Sequence, residues 1–499
     1  MQRLLAFLVA CSNFFLALNT VGPAFILPGS LLFRCCNLST CHQSEDEHAC
    51  DARRRGSCDH FEFDQASAYG PNTVIQHFEL VCDRRWLALL SQSLAMAGLA
   101  LGALAFGRLS DRNGRRTALL CGAGVHAVGS LAAVAAPNAA MYALSRLVTS
   151  FGAASAPSLD VLLVESLVPR LRYVDSVCIS LGFSLGAVCA AWLAPLLPSW
   201  RGLHALMLLH AALLFACSGL LQESARWLLS RGRIEEARNA VANTARFNGL
   251  HRVKAEILVQ DLGHGADDEE PAAKRSASPL RDVLCSKLLR FYTPFMWYQA
   301  AVLGMSYYTS SLTGTDIGGS PQLDFSLLYA AELACNLLGC LCASRLPRRL
   351  SLALLSAALV AAHLWLAFSN GHYELRLAAS LLVKGLVSSQ ILLCFLHLHE
   401  TYPTGLRAFG VSAFQCVSWA AASLEPFART ALGAAFTLPL AYAATMAVCA
   451  VLGPCVLQET LTATLRDDVD DCQEQAAVRK GPASASPEQK PNSKDVQRF

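Results

Sequence analysis

Arginines and acidic residues occur together at several places in this chain of 499 residues, in arrangements that suit reversible ion pairs. The segment 107–116 reads GRLSDRNGRR and holds four arginines and one aspartate. Exposed ion pairs contribute only about 0–1 kcal/mol each, so they suit a gate whose contacts form and break repeatedly. The residues assigned to this network are Asp111, Arg112, Arg115, Arg116, Glu165, Arg172, Glu223, Arg226, Arg345, Glu400, Arg407 and Glu459.

The charged residues of the sequence do not form a pattern typical of a catalytic site. The sequence contains no readable set of nucleophile and base, no phosphate-binding loop and no spacing typical of metal ligands. We therefore expect a protein that is not an enzyme and that uses no cofactor, metal or nucleic-acid partner.

Three segments of the charged network occur twice, in the same order and at nearly one offset. Such self-similarity indicates an internal duplication. We therefore expect two equivalent halves, each with ion pairs at the same end. The matched segments are 111–116 with 344–349, 165–172 with 400–407 and 221–224 with 457–460, at offsets of 233, 235 and 236 residues.

Long apolar stretches must position these charges. The chain is 54% hydrophobic and 15% charged, whereas soluble domains carry about 25% charged residues. Stretches of about 20 apolar residues can cross a bilayer as helices, and their pattern is not the alternation of a barrel. The sequence predicts an all-α polytopic membrane protein of about twelve transmembrane helices. The predicted spans are 4–27, 86–106, 117–136, 141–163, 174–197, 203–221, 291–312, 325–343, 350–368, 375–397, 409–427 and 432–457.

The duplication divides the chain into two six-helix halves. Residues 1–221 form the first half, which includes a hydrophilic loop at 28–85, and residues 291–457 form the second. The polar segment 222–290 is predicted to be a linker with two short helices, and 458–499 a disordered tail. Parallel repeats of six helices are typical of the major facilitator fold, in which a central cavity lies between the halves.

Short loops indicate the orientation. Arginines concentrate at one end of the predicted bundle, which places that end and both termini in the cytoplasm. Orientation alone would explain the arginines, but it would leave the recurring acids unexplained.

The loop 28–85 then lies outside, where an even set of cysteines is typical of a disulfide framework. The loop also contains an N-glycosylation sequon at Asn37. The alternative is a set of free thiols and an unused sequon. The six cysteines are Cys35, Cys36, Cys41, Cys50, Cys58 and Cys82.

At these residues the chain resembles solute carrier family 22, the transporters of organic cations, anions and zwitterions. The resemblance rests on HFELVC at 77–82, on 107–116, on ESARWLL at 223–229 and on ETYPT at 400–404. It implies the major facilitator fold and the facilitated diffusion or exchange of small organic ions at a plasma membrane, without a nucleotide cofactor.

The chain departs from the family pattern in the second half. The second copy of the charged loop has Ser344 and Pro347 where the family keeps Asp and Gly, and Pro347 stiffens that loop. Family members often carry a charge that matches the substrate at the position of Trp419. These departures keep open a second hypothesis, that of a receptor-like or scaffold protein that no longer moves a substrate.

Charged residues inside the spans are candidates for substrate binding, because they are costly to place in a membrane. Lys384 matches a basic residue of family anion carriers, so it either binds a carboxylate or sulfonate, or forms a buried pair with Glu332 or Glu425. Glu425 is also placed to pair with Arg429 one turn later.

Two further interpretations concern the core of the bundle. Trp419 either stacks on a ligand or packs against other helices. Arg146 and Asp160 are predicted to pair across the first half.

The sequence thus favours a transporter of small organic ions, with a weak preference for anions, that works by alternating access in the lipid bilayer.

Overall fold

Each predicted span corresponds to one helix or to a broken pair of helices. A computed structural model of the chain describes residues 1–28, 33–36, 41–42, 50–51, 53–55, 60–63, 69, 72–167, 173–248, 283–286, 288–343, 345–369, 371–433 and 436–460. Within these ranges, nine helical segments are long and apolar enough to cross a membrane. The helices are α1 (Gln2–Thr20), α2 (Pro23–Ile26), α3 (Val74–Phe78), α4 (Arg85–Asn113), α5 (Arg115–Val134), α6 (Ala139–Ala153), α7 (Pro157–Ser166), α8 (Tyr173–Leu193), α9 (Trp200–Cys217), α10 (Ala225–Ser230), α11 (Ile234–Phe247), α12 (Leu289–Leu312), α13 (Pro321–Ala343), α14 (Arg348–Phe368), α15 (Tyr373–Thr401), α16 (Thr404–Ala422), α17 (Glu425–Leu432) and α18 (Thr437–Val456).

Proline explains where the broken spans divide. Pro23, Pro157 and Pro426 each lie in the first turn of the second piece, in α2, α7 and α17. Proline has no N–H to continue the preceding helix, but it is accommodated where a new helix begins. The first, fourth and eleventh spans therefore each consist of two helices.

The helices of the two halves pack in the same pairs. The contact of α4 with α6 in the first half corresponds to that of α13 with α15 in the second, and the contact of α1 with α8 corresponds to that of α12 with α16. In the same way, α5 packs on α6 and α9, and α14 packs on α15 and α18. These pairs correspond one to one under the offset found in the sequence. Between the halves, α4 packs on α16 and α8 on α13, which are also equivalent pairs.

Glycines allow the closest of these contacts. A Cβ at Gly98 or Gly102 of α4 would collide with the backbone of α6, at the carbonyls of Leu147 and Phe151. Small residues four apart let the backbones of membrane helices approach directly. The tight α4–α6 contact therefore depends on both glycines.

The halves meet mainly at the end of the bundle that carries the 28–85 loop, which is named the loop end. The opposite end, which carries Arg115 and Arg348, is named the arginine end. One buried apolar cluster contains residues of both halves and of the loop, whereas two others each lie within a single half. At the loop end the Phe25 ring lies 4.9 Å from that of Phe325, and the Trp192 indole donates to Ser326 at 3.1 Å. The loop end is thus closed by contacts between the halves.

The 28–85 loop contains a small antiparallel sheet that the all-α prediction did not include. Its strands are β1 (Phe33–Cys36), β2 (Cys41–His42) and β3 (His60–Phe63), in the order β2-β1-β3. Cys35 and Cys36 lie in β1, and Cys41 in β2 lies opposite Cys36.

Cys50 and Cys82 form a disulfide, which confirms that the predicted framework contains at least this bond. Asn37 and Cys58 lie outside the described residues. The glycosylation of Asn37 and the pairing of the other cysteines therefore stay predictions.

Two short helices, α10 and α11, follow the sixth span. The Ser224 hydroxyl accepts from the Trp227 N–H at 3.3 Å and so caps α10. The Trp227 indole donates to the Asp111 carbonyl at 3.0 Å, and the Arg231 guanidinium donates to the same oxygen at 2.7 Å. These contacts attach α10 to the arginine end. Residues 249–282 and 461–499 lie outside the description.

Candidate functional site

The charged residues at the arginine end of the first half connect four helices. Arg115 opens α5, and its guanidinium lies 3.2 Å from Asp111 of α4 and 3.4 Å from Glu165 of α7. The Glu223 carboxylate, which follows α9, accepts the backbone N–H groups of Arg115 at 2.9 Å and of Arg116 at 3.1 Å. A carboxylate there satisfies N–H groups that a helix start leaves unpaired, and it complements the helix dipole.

Gly114 makes this arrangement possible. Its φ is +106°, and a Cβ at this position would collide with the Glu223 carboxylate. Glycine adopts such a backbone conformation readily, whereas other residues do so at a cost. The turn between α4 and α5 is therefore shaped around the carboxylate of Glu223.

The second half repeats these contacts with its own residues. Arg348 opens α14 and lies 3.3 Å from Glu400 of α15. The Glu459 carboxylate accepts the backbone N–H groups of Arg348 at 2.9 Å and of Arg349 at 3.2 Å. The arginine–glutamate pair and the capping carboxylate are thus duplicated, although Ser344 and Pro347 occupy the places of Asp111 and Gly114.

Some residues assigned to the network do not join it as predicted. Arg345 is exposed, and the pair with Glu400 is made by Arg348, which the prediction omitted. The signal was present, because the offset of 233 that relates segments 111–116 and 344–349 aligns Arg348 with Arg115.

The remaining arginines of the assigned set differ in placement. Arg112 and Arg226 are exposed. Arg116 donates to the Ser218 carbonyl at 2.9 Å, which ties α5 to the end of α9. Arg172 lies outside the described residues, as does the side chain of Arg407.

In the middle of the second half, Lys384 forms a buried pair with Glu332. The ammonium of Lys384 lies 3.3 Å from the Glu332 carboxylate, and their side chains are 0% and 7% exposed. The ammonium also donates to the Ser311 hydroxyl at 2.7 Å and lies 3.4 Å from the centre of the Tyr307 ring. Of the two partners considered for Lys384, the structure shows Glu332.

Other groups complete the environment of Glu332. The Tyr307 hydroxyl donates to both carboxylate oxygens, at 3.1 and 3.2 Å, and the Ser388 hydroxyl donates at 3.1 Å. A buried ion pair is tolerated when its remaining hydrogen bonds are satisfied. Lys384 and Glu332 therefore form a neutral, fully bonded unit that joins α15 to α13.

Glu425 and Trp419 lie further toward the loop end. Glu425 is fully buried and pairs with Arg429, one turn along α17, at 3.5 Å. Trp419 is half-buried and packs against the apolar cluster that both halves share. These two residues therefore lie close to the contact between the halves.

Arg146 does not pair with Asp160, so that prediction was wrong. Its guanidinium donates to the side-chain oxygen of Asn19 at 2.8 Å and to the backbone oxygen of Asn19 at 2.6 Å. Asn19 lies at the end of α1, which this contact ties to α6. The sequence offered no signal for the pairing, because an asparagine in an apolar run has no fixed partner.

The chain matches known proteins over most of its length. Residues 87–426 match the family model described as Major Facilitator Superfamily. Solute carrier family 22 member 12 of Homo sapiens is 30% identical over 410 residues, which cover 82% of this chain and 74% of that protein. Solute carrier family 22 member 6 of Rattus norvegicus is 28% identical over 405 residues, covering 80% and 73%.

A solved structure shares the fold. The structure titled "Inward open conformation of the xylose transporter XylE from E. coli" aligns with a TM-score of 0.65 at 14% identity, and the alignment covers 95% of this chain and 98% of that one. This likeness confirms the predicted fold class, that of an all-α polytopic membrane protein.

Proposed function

The chain belongs to the Major Facilitator Superfamily and, within it, to solute carrier family 22, and on that premise we propose that it transports small organic ions, anions in particular, by alternating access. The molecule is moved without chemical conversion and without a cofactor. The observation that carries the proposal is the repeated arrangement at the arginine end, since in both halves an arginine pairs with a glutamate and a second glutamate accepts the backbone N–H of that arginine.

The network suits a rocking motion. The ion pairs Arg115–Glu165 and Arg348–Glu400 each lie within one half, so each half keeps its own shape at this end. The contacts between the halves are largely apolar and aromatic, as at Phe25 and Phe325. Apolar contacts lack the fixed geometry of hydrogen bonds, so the halves can separate at the loop end without breaking either network.

The site proposed for the ion lies between the halves. The half-buried ring of Trp419 at the shared cluster supports stacking on the body of a ligand. Glu425 with Arg429, and Lys384 with Glu332, supply charged groups inside the bundle. In this proposal both pairs set the electrostatic environment of the site, because each charge already has a partner.

We place the protein in a plasma membrane with the arginine end and both termini in the cytoplasm. The distribution of arginines in short loops supports this orientation. The disulfide between Cys50 and Cys82 supports an oxidising environment for the 28–85 loop.

The hypothesis of a non-transporting scaffold rested on Ser344, Pro347 and Trp419. A network that had lost its function would be free to lose its ion pair. Instead, Arg348, Glu400 and Glu459 keep the contacts of their counterparts in the first half. This arrangement favours transport.

The experiment is an uptake screen in cells that express the full chain, with surface delivery measured by biotinylation. The probes are an aromatic carboxylate, an aromatic sulfonate, a quaternary ammonium ion and a betaine. We expect saturable uptake of at least one anion, and we expect Asp111→Ala to abolish it at normal surface amounts. Normal surface delivery without saturable uptake of any probe would support the scaffold instead.

A further inference from the structure

Two cationic side chains are fully buried inside the described helices of the bundle, and only one of them has a carboxylate partner. Lys384 and Arg146 are both 0% exposed. Lys384 pairs with Glu332 at 3.3 Å. Over the described ranges, the partners of the Arg146 guanidinium are the two oxygens of Asn19, and no carboxylate lies within ion-pair distance of it.

The Arg146 guanidinium also has capacity left for a ligand. It carries five N–H donors, and Asn19 accepts two hydrogen bonds from its Nη atoms. Its Nε has no acceptor among the described residues, although it is buried. A buried charge without a counter-charge costs several kcal/mol. An anion bound next to Arg146 would offset this cost.

Arg146 lies where the two halves meet. Tyr308 of α12, in the second half, belongs to the same buried cluster as Tyr142 of α6, which lies one turn before Arg146. The Tyr308 hydroxyl is buried and has no hydrogen-bond partner in the described part of the chain. Opening the loop end would therefore separate Tyr308 from Arg146 and uncover the guanidinium.

The groups around Arg146 do not compete with an incoming anion. His204 lies next to Tyr142, with ring centres 5.5 Å apart, and His126 contacts the carbonyl of Thr149, one turn after Arg146. The buried carboxylate of Glu425, in the second half, is paired with Arg429 at 3.5 Å. The neighbours thus supply aromatic surface and leave the positive charge of Arg146 uncompensated.

We propose that Arg146 binds the anionic group of the transported molecule, a carboxylate or a sulfonate, once the loop end opens. This inference rests on the proposed transport function and names the residue that makes it selective for anions. Asn19 holds the guanidinium in place, so its free edge can offer two parallel N–H bonds to one carboxylate. The buried rings of Tyr142 and Tyr308 offer aromatic contacts for the body of such an anion.

The test combines binding and uptake for the full chain. Purified protein is heated with benzoate, benzenesulfonate, uncharged benzamide or chloride, and the unfolding midpoint is followed. We expect the two organic anions to raise the midpoint, benzamide to leave it unchanged, and chloride to act only weakly. Stabilisation by chloride equal to that by benzoate would overturn the assignment to an organic anion.

Variants separate binding from structure. Arg146→Gln should weaken benzoate binding and raise the uptake KM by about tenfold or more, since a hydrogen bond to a charged group is worth about 1.5–3 kcal/mol. Arg146→Lys keeps the charge but loses the two parallel N–H donors of the guanidinium, so it should retain part of the affinity. Arg201→Gln is the matched control, because Arg201 bonds the carbonyls of Val134 and Ala136 at the loop end.

Asn19→Ala distinguishes a binding residue from a structural clamp. If Arg146 only ties α1 to α6, Asn19→Ala and Arg146→Gln will lower stability equally and leave benzoate affinity unchanged in both, which overturns the inference. If Arg146 binds the anion, Asn19→Ala will retain more affinity than Arg146→Gln.

The two proposals can fail separately. Anion-dependent stabilisation that Arg146→Gln removes, without uptake, would keep the site and reject transport. Uptake of the anion with an unchanged KM in Arg146→Gln would keep transport and reject the site. Wild-type protein that neither binds nor transports the anions overturns both.

Discussion

The guanidinium of Arg348 lies 3.3 Å from the carboxylate of Glu400, across the contact between the first turn of α14 and the last turn of α15. Arg115 and Glu165 hold the equivalent relationship in the first half, at 3.4 Å. The second pair survives although Pro347 replaces the turn glycine. The arginine–glutamate pair therefore forms in both halves even though the sequences of the two loops differ.

The first prediction separates Arg348 from its exposed neighbour. Arg348→Gln leaves Glu400 without its ion pair, so we expect the free energy of unfolding to fall by about 1–3 kcal/mol and uptake to fall at equal surface amounts. Arg345→Gln, in the same loop, should behave like the wild type. Thermal unfolding of the purified variants and uptake of the best anion probe are measured side by side; equal losses for both would contradict the assignment of the pair to Arg348.

The second prediction concerns the acids that cap helix starts. Glu223→Ala removes the acceptor for the N–H groups of Arg115 and Arg116 and should cost about 0.5–2 kcal/mol of stability. Glu459→Ala should cost a similar amount, because Glu459 accepts from Arg348 and Arg349 in the same way. Both are compared by thermal unfolding with Glu236→Ala.

Glu236, in α11, is a suitable control because it forms an exposed pair with Arg233, the residue that precedes the helix. Such a pair contributes little, so its loss should shift the midpoint only slightly. A shift for Glu236→Ala as large as that for Glu223→Ala would argue against the capping role.

The third prediction tests the turn at Gly114. Gly114→Ala forces a Cβ into a backbone with φ +106° and against the Glu223 carboxylate. We expect a loss of about 1–3 kcal/mol, measured as a lower midpoint in thermal unfolding. Gly219→Ala is the matched control, because a Cβ there meets no atom of the described residues within 4 Å. If the two variants unfold at the same temperature, the turn is not constrained as described.

Apolar stretches locate the predicted spans, because a bilayer demands about 20 residues from every crossing helix, and nine helical segments of the described residues are long and apolar enough to cross a membrane. The breaks are harder to predict. Pro23, Pro157 and Pro426 are visible in the sequence, but proline in a helix causes either a kink or a break, and the surrounding packing decides which. The sheet in the 28–85 loop is built from strands of two to four residues, too short to leave a clear pattern.

The site was predictable where the duplication supplies a second copy and not elsewhere. The offset that aligns Arg115 with Arg348 was sufficient to find the second ion pair. The partners of Lys384 and Arg146 depend on which helices pack together. Glu332 is chosen over Glu425 because α13 packs on α15. Asn19 is chosen over Asp160 because the end of α1 reaches Arg146.

The last prediction decides whether Lys384 serves structure or substrate. Lys384→Met leaves Glu332 buried without a cation, so we expect a loss of about 3–5 kcal/mol. Adding Glu332→Gln removes the unpaired buried carboxylate and should restore most of the stability. Thermal unfolding of both single variants and the double variant, compared in a double-mutant cycle, measures this recovery. If Lys384 also binds the anion, Lys384→Arg should keep part of the uptake that Lys384→Ala loses, at matched surface amounts. Equal losses in the two variants, together with recovery in the double variant, would leave Lys384 as one half of a structural pair.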